Sequence, residues 1–149
     1  METSMPKPVL VTGHAIHSTV TVLFWIFTAL FCLEMCFTAY FELLPQGAQA
    51  FARLGFLSHY FRLELSLAKL AGAAVLLLPM VPARVKEWAY AGFAINLVSA
   101  VLAHLSIGDR LLAFVPSTLT SVLWAVSYFT WRRMQAAQAN QTGAESTAM

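Results

Sequence analysis

Four stretches of this chain are long and apolar enough to cross a lipid bilayer, near Ser18 to Phe41, Tyr60 to Val81, Glu87 to Ile107 and Arg110 to Trp131. A crossing helix needs about 20 largely apolar residues to cover ~30 Å of hydrocarbon, so little chain is left for anything else. Composition agrees: of 149 residues 59% are hydrophobic and 11% charged, where soluble domains carry roughly a quarter charged. The expected fold is an all-α membrane protein, an antiparallel four-transmembrane-helix bundle. It forms one domain over residues 1–133, followed by a disordered polar tail over 134–149.

The first apolar run is too long for a signal-peptide core and lacks a small-residue cleavage site, so it is read as a retained span. With four spans, both termini share a side with the loop from Pro79 to Lys86. That side carries Lys7, Arg84, Lys86, Arg132 and Arg133, against Arg53, Arg62 and Arg110 on the other. Basic loops stay inside, which places both termini in the cytoplasm. Between the first two spans, AQAFARLGFL is weakly amphipathic and reads as a helix lying in the interface. Pro79 and Pro82 stop the second helix, and Gly108 with Asp109 turns the chain between the third and fourth. Pro116 either kinks the first turns of the fourth helix or begins it. Tyr40, Tyr60, Trp88 and Trp131 fall at span ends, where aromatic rings with a polar edge sit well.

The run YFRLELSLAKLAG raises the question of why a helix bound for hydrocarbon carries Arg62, Glu64 and Lys69. Alternating spans bring the end of the first, the start of the second, the end of the third and the start of the fourth to one side. At 1.5 Å per residue Glu34 lies ~10 Å below its span end, Glu64 ~6 Å and Lys69 ~13 Å into theirs, and His104 ~5 Å from its own. An ionisable group facing lipid near mid-membrane costs at least ~2.5 to 3.5 kcal/mol. Glu34, Glu64, Lys69 and His104 are therefore expected to face inward and converge, as candidate acid-base residues. Glu34 with Lys69 and Glu64 with His104 are the expected cross-helix pairs, and Ser117, Thr118, Thr120 and Ser121 lie in the matching half of the fourth span. TVTVLFWIF and GAAVLLLP make the opposite half read as plain packing. The competing account is architectural: polar groups near span ends snorkel or fix helix register.

Cys32 and Cys36 in CLEMC lie one turn apart, but the spacing is not C-x-x-C and an intrahelical bridge would be strained; buried cysteine is commonly a small apolar residue. Of the histidines at 14, 17, 59 and 104, only His14 and His17 have a suggestive spacing, and no metal is expected. Ala68 and Gly72 form a small-x-x-x-small pair. Gly92, Asn96, Ser99 and Ala103 give the third span a close-packing stripe with one strong hydrogen-bonder. Nothing resembles a phosphate-binding loop, a serine nucleophile elbow or a nucleic-acid module.

The segments YFRLELSLAKLAG, VPARVKEWAYAGF and AHLSIGD, within Leu54 to Asp109, resemble the DoxX-like membrane family. The resemblance covers the second and third spans strongly and implies a compact four-helix bundle, mostly bacterial, hence an inner-membrane location. It makes Arg62, Glu64, Lys69, Glu87, Trp88, Asn96, His104 and Asp109 the matching positions, with Arg62, Trp88, Asn96 and Asp109 as candidate ligand contacts. Relatives implied by it include a subunit linked to thiosulfate and quinone oxidation, thiol-stress proteins and chaperone-like animal members. Three functions follow. The first is a redox-associated subunit that binds a lipophilic molecule such as a quinone in a polar half-cavity and takes electrons from a partner protein. The second is a self-contained enzyme using Glu34 or Glu64 as acid or base, with Lys69 or His104 stabilising charge. The third is a membrane chaperone. No cofactor is expected to be covalently bound, and a homo-oligomer stays open.

Overall fold

The computed structural model describes residues 11–147 except residue 57, with side chains over 19–140. Lys7 lies outside the described residues, and the side chains of His14 and His17 lie outside them too. The chain folds as α1 (Val11–Leu43), α2 (Pro45–Arg53), α3 (His59–Leu77), α4 (Ala83–Ser106), a 3-10 turn (Leu111–Phe114) and α5 (Val115–Thr147), with no strand among the described residues. Among the described residues five α-helices stand: the segments of the four expected spans, and α2, in which most of the amphipathic stretch expected to lie as a helix in the interface is helical. Three segments among the described residues are long and apolar enough to cross a membrane: Thr19–Leu43, Ala83–Ser106 and Leu111–Asn140. α3 is not among them, since its 19 residues carry Arg62, Glu64 and Lys69.

Local chemistry explains the ends. Pro45 opens α2 at a position where its missing N–H is not needed, and the Ser58 hydroxyl caps α3 by accepting from the Phe61 N–H at 3.3 Å. α3 stops at Leu77, four residues short of Val81, because Leu78 is extended ahead of Pro79. Pro116 is the second residue of α5, so it begins the helix and kinks nothing. Gly108, at φ +65°, supplies the left-handed turn after α4. α5 continues to Thr147, beyond the expected span end at Trp131; the run MQAAQA is made of strong helix formers, which carry the helix past the apolar segment.

Residue pairs fix the packing. Along α1 and α3, Glu42 meets Ser66 and Lys69 while Cys32 meets Ala73, so these helices run antiparallel. Thr28 with Ser127 and Glu34 with Thr120 give the same sense to α1 and α5. Glu87 with Arg132 and Tyr90 with Trp124 and Ser127 do so for α4 and α5, and Leu76 with Lys86 and Gly72 with Phe93 for α3 and α4. The core is built from Phe24, Phe31, Cys32, Met35, Ala73, Leu76, Tyr90, Phe93 and Trp131. Phe31 and Phe93 pack edge to face at 4.9 Å and 85°. Gly72 admits that Phe93 ring, which would lie 2.8 Å from a Cβ there.

Two expectations are corrected in this core. Trp131 is 3% exposed and packs on Tyr90 and Tyr128; it is no interfacial anchor, because α5 continues beyond it. The half read as plain packing holds a buried hydroxyl chain, Tyr90 to Ser127 at 2.7 Å and Ser127 to Thr28 at 2.6 Å. Hydroxyls barely lower hydropathy, and when paired they are cheap to bury.

Candidate functional site

Two polar clusters flank a cavity between α2, α3 and α4, and the first answers the question raised by the charges of α3. Arg62, Ser66 and Lys69, spaced by four and three, share the face turned toward the end of α1. There they surround Glu42. Lys69 Nζ pairs with Glu42 Oε1, Ser66 Oγ donates to Oε2 at 3.1 Å, and the Arg62 guanidinium donates to the Glu42 carbonyl at 2.9 Å. Lys69 is 7% exposed, Glu42 5% and Ser66 1%, so the charges are both desolvated and matched, the condition under which a buried pair is tolerated. Arg62 also meets His59 Nδ1 at 3.1 Å. Its bond to a carbonyl in the last turn of α1 places a cation at the negative end of that helix.

The second cluster stands at the end of α4. Gly108 turns the chain so that Asp109 folds back on His104, whose Nδ1–H donates to Asp109 Oδ2 at 2.7 Å. Arg53, in the last turn of α2, pairs with the other oxygen of Asp109. Asp109 thereby tethers α2 to the end of α4. A carboxylate held on one ring nitrogen fixes the imidazole's orientation and leaves Nε2 to meet a ligand.

The cavity between them has a volume of about 410 Å³. Lys69, Glu42, Asn96, Ser99 and His104 supply its polar lining. Phe51, Phe56, Phe61 and Leu65 form apolar wall, with Phe56 and Phe61 stacked at 5.1 Å. A mostly apolar hollow with a few convergent polar groups is the usual form of a small-molecule site.

Of the residues singled out by sequence, Lys69, His104 and Asn96 line this cavity, as do Gly92, Ser99 and Ala103 of the stripe expected to pack closely. Arg62 braces Lys69's partner, and Asp109 stands behind His104. The others lie elsewhere. Glu34 accepts from Thr120 on α5, and its Oε2 is buried without a hydrogen-bond partner. Glu64 is exposed, on a face of α3 turned away from Lys69. Trp88 is 79% exposed. The expected pairs are therefore corrected: Lys69 takes Glu42 in place of Glu34 or Glu64, and His104 takes Asp109 in place of Glu64. Five residues separate Glu64 from Lys69, about 140° around the helix, and Asp109 reaches His104 through a tight local turn. Glu42 was missed because the first span was ended at Phe41. The helix runs two residues further and carries the acid inward.

Cys32 and Cys36 are both free thiols; Cys32 is buried, its S–H directed at the Ala73 carbonyl at 3.8 Å. No grouping of three or more His, Cys, Asp or Glu side chains suited to a metal occurs among the described residues.

Comparison with known proteins gives one family. The model of the DoxX-like family matches residues 26–126, which takes in α2, α3 and α4 whole. No curated protein and no solved structure matches the chain.

Proposed function

The chain belongs to the DoxX-like family, and from that premise we propose that it is an integral membrane subunit that binds a lipophilic molecule with a polar head, such as a quinone. The observation that carries this reading is the cavity itself, in which Lys69, Asn96 and His104 meet apolar and aromatic walls. A quinone ring matches that surface chemically. Its faces suit phenylalanine, and its carbonyl oxygens suit the Lys69 and Asn96 donors. As the ring is reduced, His104 in its doubly protonated form can pass its Nε2 proton to a ring oxygen while Asp109 holds Nδ1–H. Reduction of quinone to quinol takes two electrons and two protons; in this reading a redox partner protein supplies the electrons and the His104–Asp109 pair relays protons.

The reading includes α3 as a fourth crossing, both termini in the cytoplasm and a bacterial inner membrane. α3 lies antiparallel against α1 and α4, and its Lys69 charge is neutralised by Glu42. The His104–Asp109 pair also favours a second reading: a self-contained enzyme in which His104 is the base for a lipophilic substrate and Lys69 stabilises the anion formed.

Titration of the detergent-purified protein with decylubiquinone, followed by tryptophan fluorescence, tests the first reading. Saturable binding at one per chain is expected, weakened about tenfold by His104→Leu, the scale of one lost hydrogen bond to a charged or buried group. Absence of saturable binding would overturn it. Mass spectrometry of molecules that co-purify separates the two readings, a quinone favouring the first and a non-redox terpenoid the second.

A further inference from the structure

The cavity does not end at its polar groups. A second hollow of about 220 Å³ lies against α3 and α4, and it shares Leu65, Lys69, Gly92 and Asn96 with the first. From that junction it continues past Ala68 and Gly72 to Trp88. Asn96 and Trp88 are eight residues apart on α4, so the extension runs ~12 Å along the helix. Its lining is almost wholly apolar apart from Lys69 and Asn96 at the junction.

Gly92 stands where the two hollows join. Gly72, one helix away, has a packing reason to be glycine, since the Phe93 ring occupies the space its Cβ would take. Gly92 has none: a Cβ there would meet nothing within 4 Å. Glycine inside a helix is destabilising relative to alanine, and at Gly92 no close helix contact offsets that cost. What glycine preserves at this point is open space between the polar cavity and the apolar groove.

Resting on the reading of the cavity as a head-group site, we infer that the ligand is a tailed amphiphile: a ring bearing oxygen acceptors, held at Lys69, Asn96 and His104, with an isoprenoid or alkyl chain running over Gly92 into the groove toward Trp88. The groove's contribution is geometric. A tail gains little by leaving lipid for an equally apolar groove, but a ring seated between α2, α3 and α4 needs an exit for its chain. Gly92 is that exit. A compact polycyclic ligand would leave the groove unused.

The test compares two probes, tailless ubiquinone-0 and decylubiquinone, on the wild type and on Ala68→Leu, a position that lines the groove and not the head cavity. Ala68 is exposed, so the fold should survive the larger side chain, and the thermal midpoint in detergent checks that it does. We expect Ala68→Leu to weaken decylubiquinone binding at least tenfold while ubiquinone-0 binding changes less than twofold. Equal, small effects on both probes would overturn the tail path and leave the head site standing. If the wild type binds neither probe, the head-site reading fails and the inference falls with it. Loss of a dimer in Ala68→Leu, by light scattering, with unchanged preference between the probes would assign the groove to a second copy of the chain and overturn the tail path.

Discussion

Lys69 decides how much charge α3 can take into an apolar setting. Its ammonium and the Glu42 carboxylate are each desolvated, and breaking such a pair strands a charge at a cost of about 3 to 5 kcal/mol, whereas replacing both with apolar groups can be neutral. Lys69→Met should therefore lower the thermal midpoint in detergent sharply. Adding Glu42→Leu should restore much of the loss, although the Ser66 hydroxyl and the Arg62 guanidinium also rest on Glu42 and will keep recovery incomplete. Glu34→Gln or Glu64→Gln should rescue nothing, because neither acid meets Lys69. A Lys69→Met protein as stable as its parent would refute the pair's role. That Lys69 needed an acidic partner was legible from its depth alone; the partner's identity was not. Glu42 and Asp109 both sit just past a sequence boundary, and such boundaries are uncertain by a residue or two. At those two positions that margin decides whether an acid is assigned to the bundle or to a loop.

Among the elements, α2 is the one whose position makes the cavity, and two contacts hold it. Gly47 lies so close to the end of α1 that a Cβ would stand 2.2 Å from the Phe41 carbonyl oxygen and 2.8 Å from Glu42 Cα. Backbone atoms cannot yield as a side chain can, so Gly47→Ala must move α2 and should cost about 1 to 3 kcal/mol by overpacking. The effect would appear as a lower thermal midpoint together with weaker ligand binding. At the other end Asp109 joins Arg53 to His104. Asp109→Ala should speed hydrogen exchange in α2 while leaving the buried stretch of α1 from Thr28 to Met35 unchanged. Arg53→Ala should do less, because Arg53 is largely exposed and such pairs contribute little. Unchanged exchange in α2 after Asp109→Ala would show that Gly47 and the apolar contacts of Phe51 suffice. The existence of α2 was readable from the pattern of AQAFARLGFL. Its placement was not, since tertiary contacts from Gly47 and Arg53 set it and no periodicity records them.

For the whole molecule the open quantity is the number of crossings, three by length and hydropathy or four with α3 included. The apolar runs were plain in the sequence, and the antiparallel pairing of neighbours followed from short connections. What a hydropathy sum cannot see is that Lys69 is matched across a helix interface: each residue is counted as though it faced lipid. α3 is about 28 Å long at 1.5 Å per residue, close to the hydrocarbon thickness. It meets α1 near its start at Arg62, midway at Ser66 and Lys69 and again at Ala73, and meets α4 near its end at Leu76. A helix paired along its length with two spanning neighbours shares their depth, and the only buried charge it brings is already neutralised. Four crossings are therefore expected, and parity makes the claim testable. An even number puts the termini on one side, an odd number on opposite sides. Reporter fusions active only in the cytoplasm, placed at either end, should both be active, and a cysteine introduced at exposed Met80 should be labelled from that same side. Termini on opposite sides, or a Met80 position reached from the far side, would mean that α3 lies in the interface instead of crossing it.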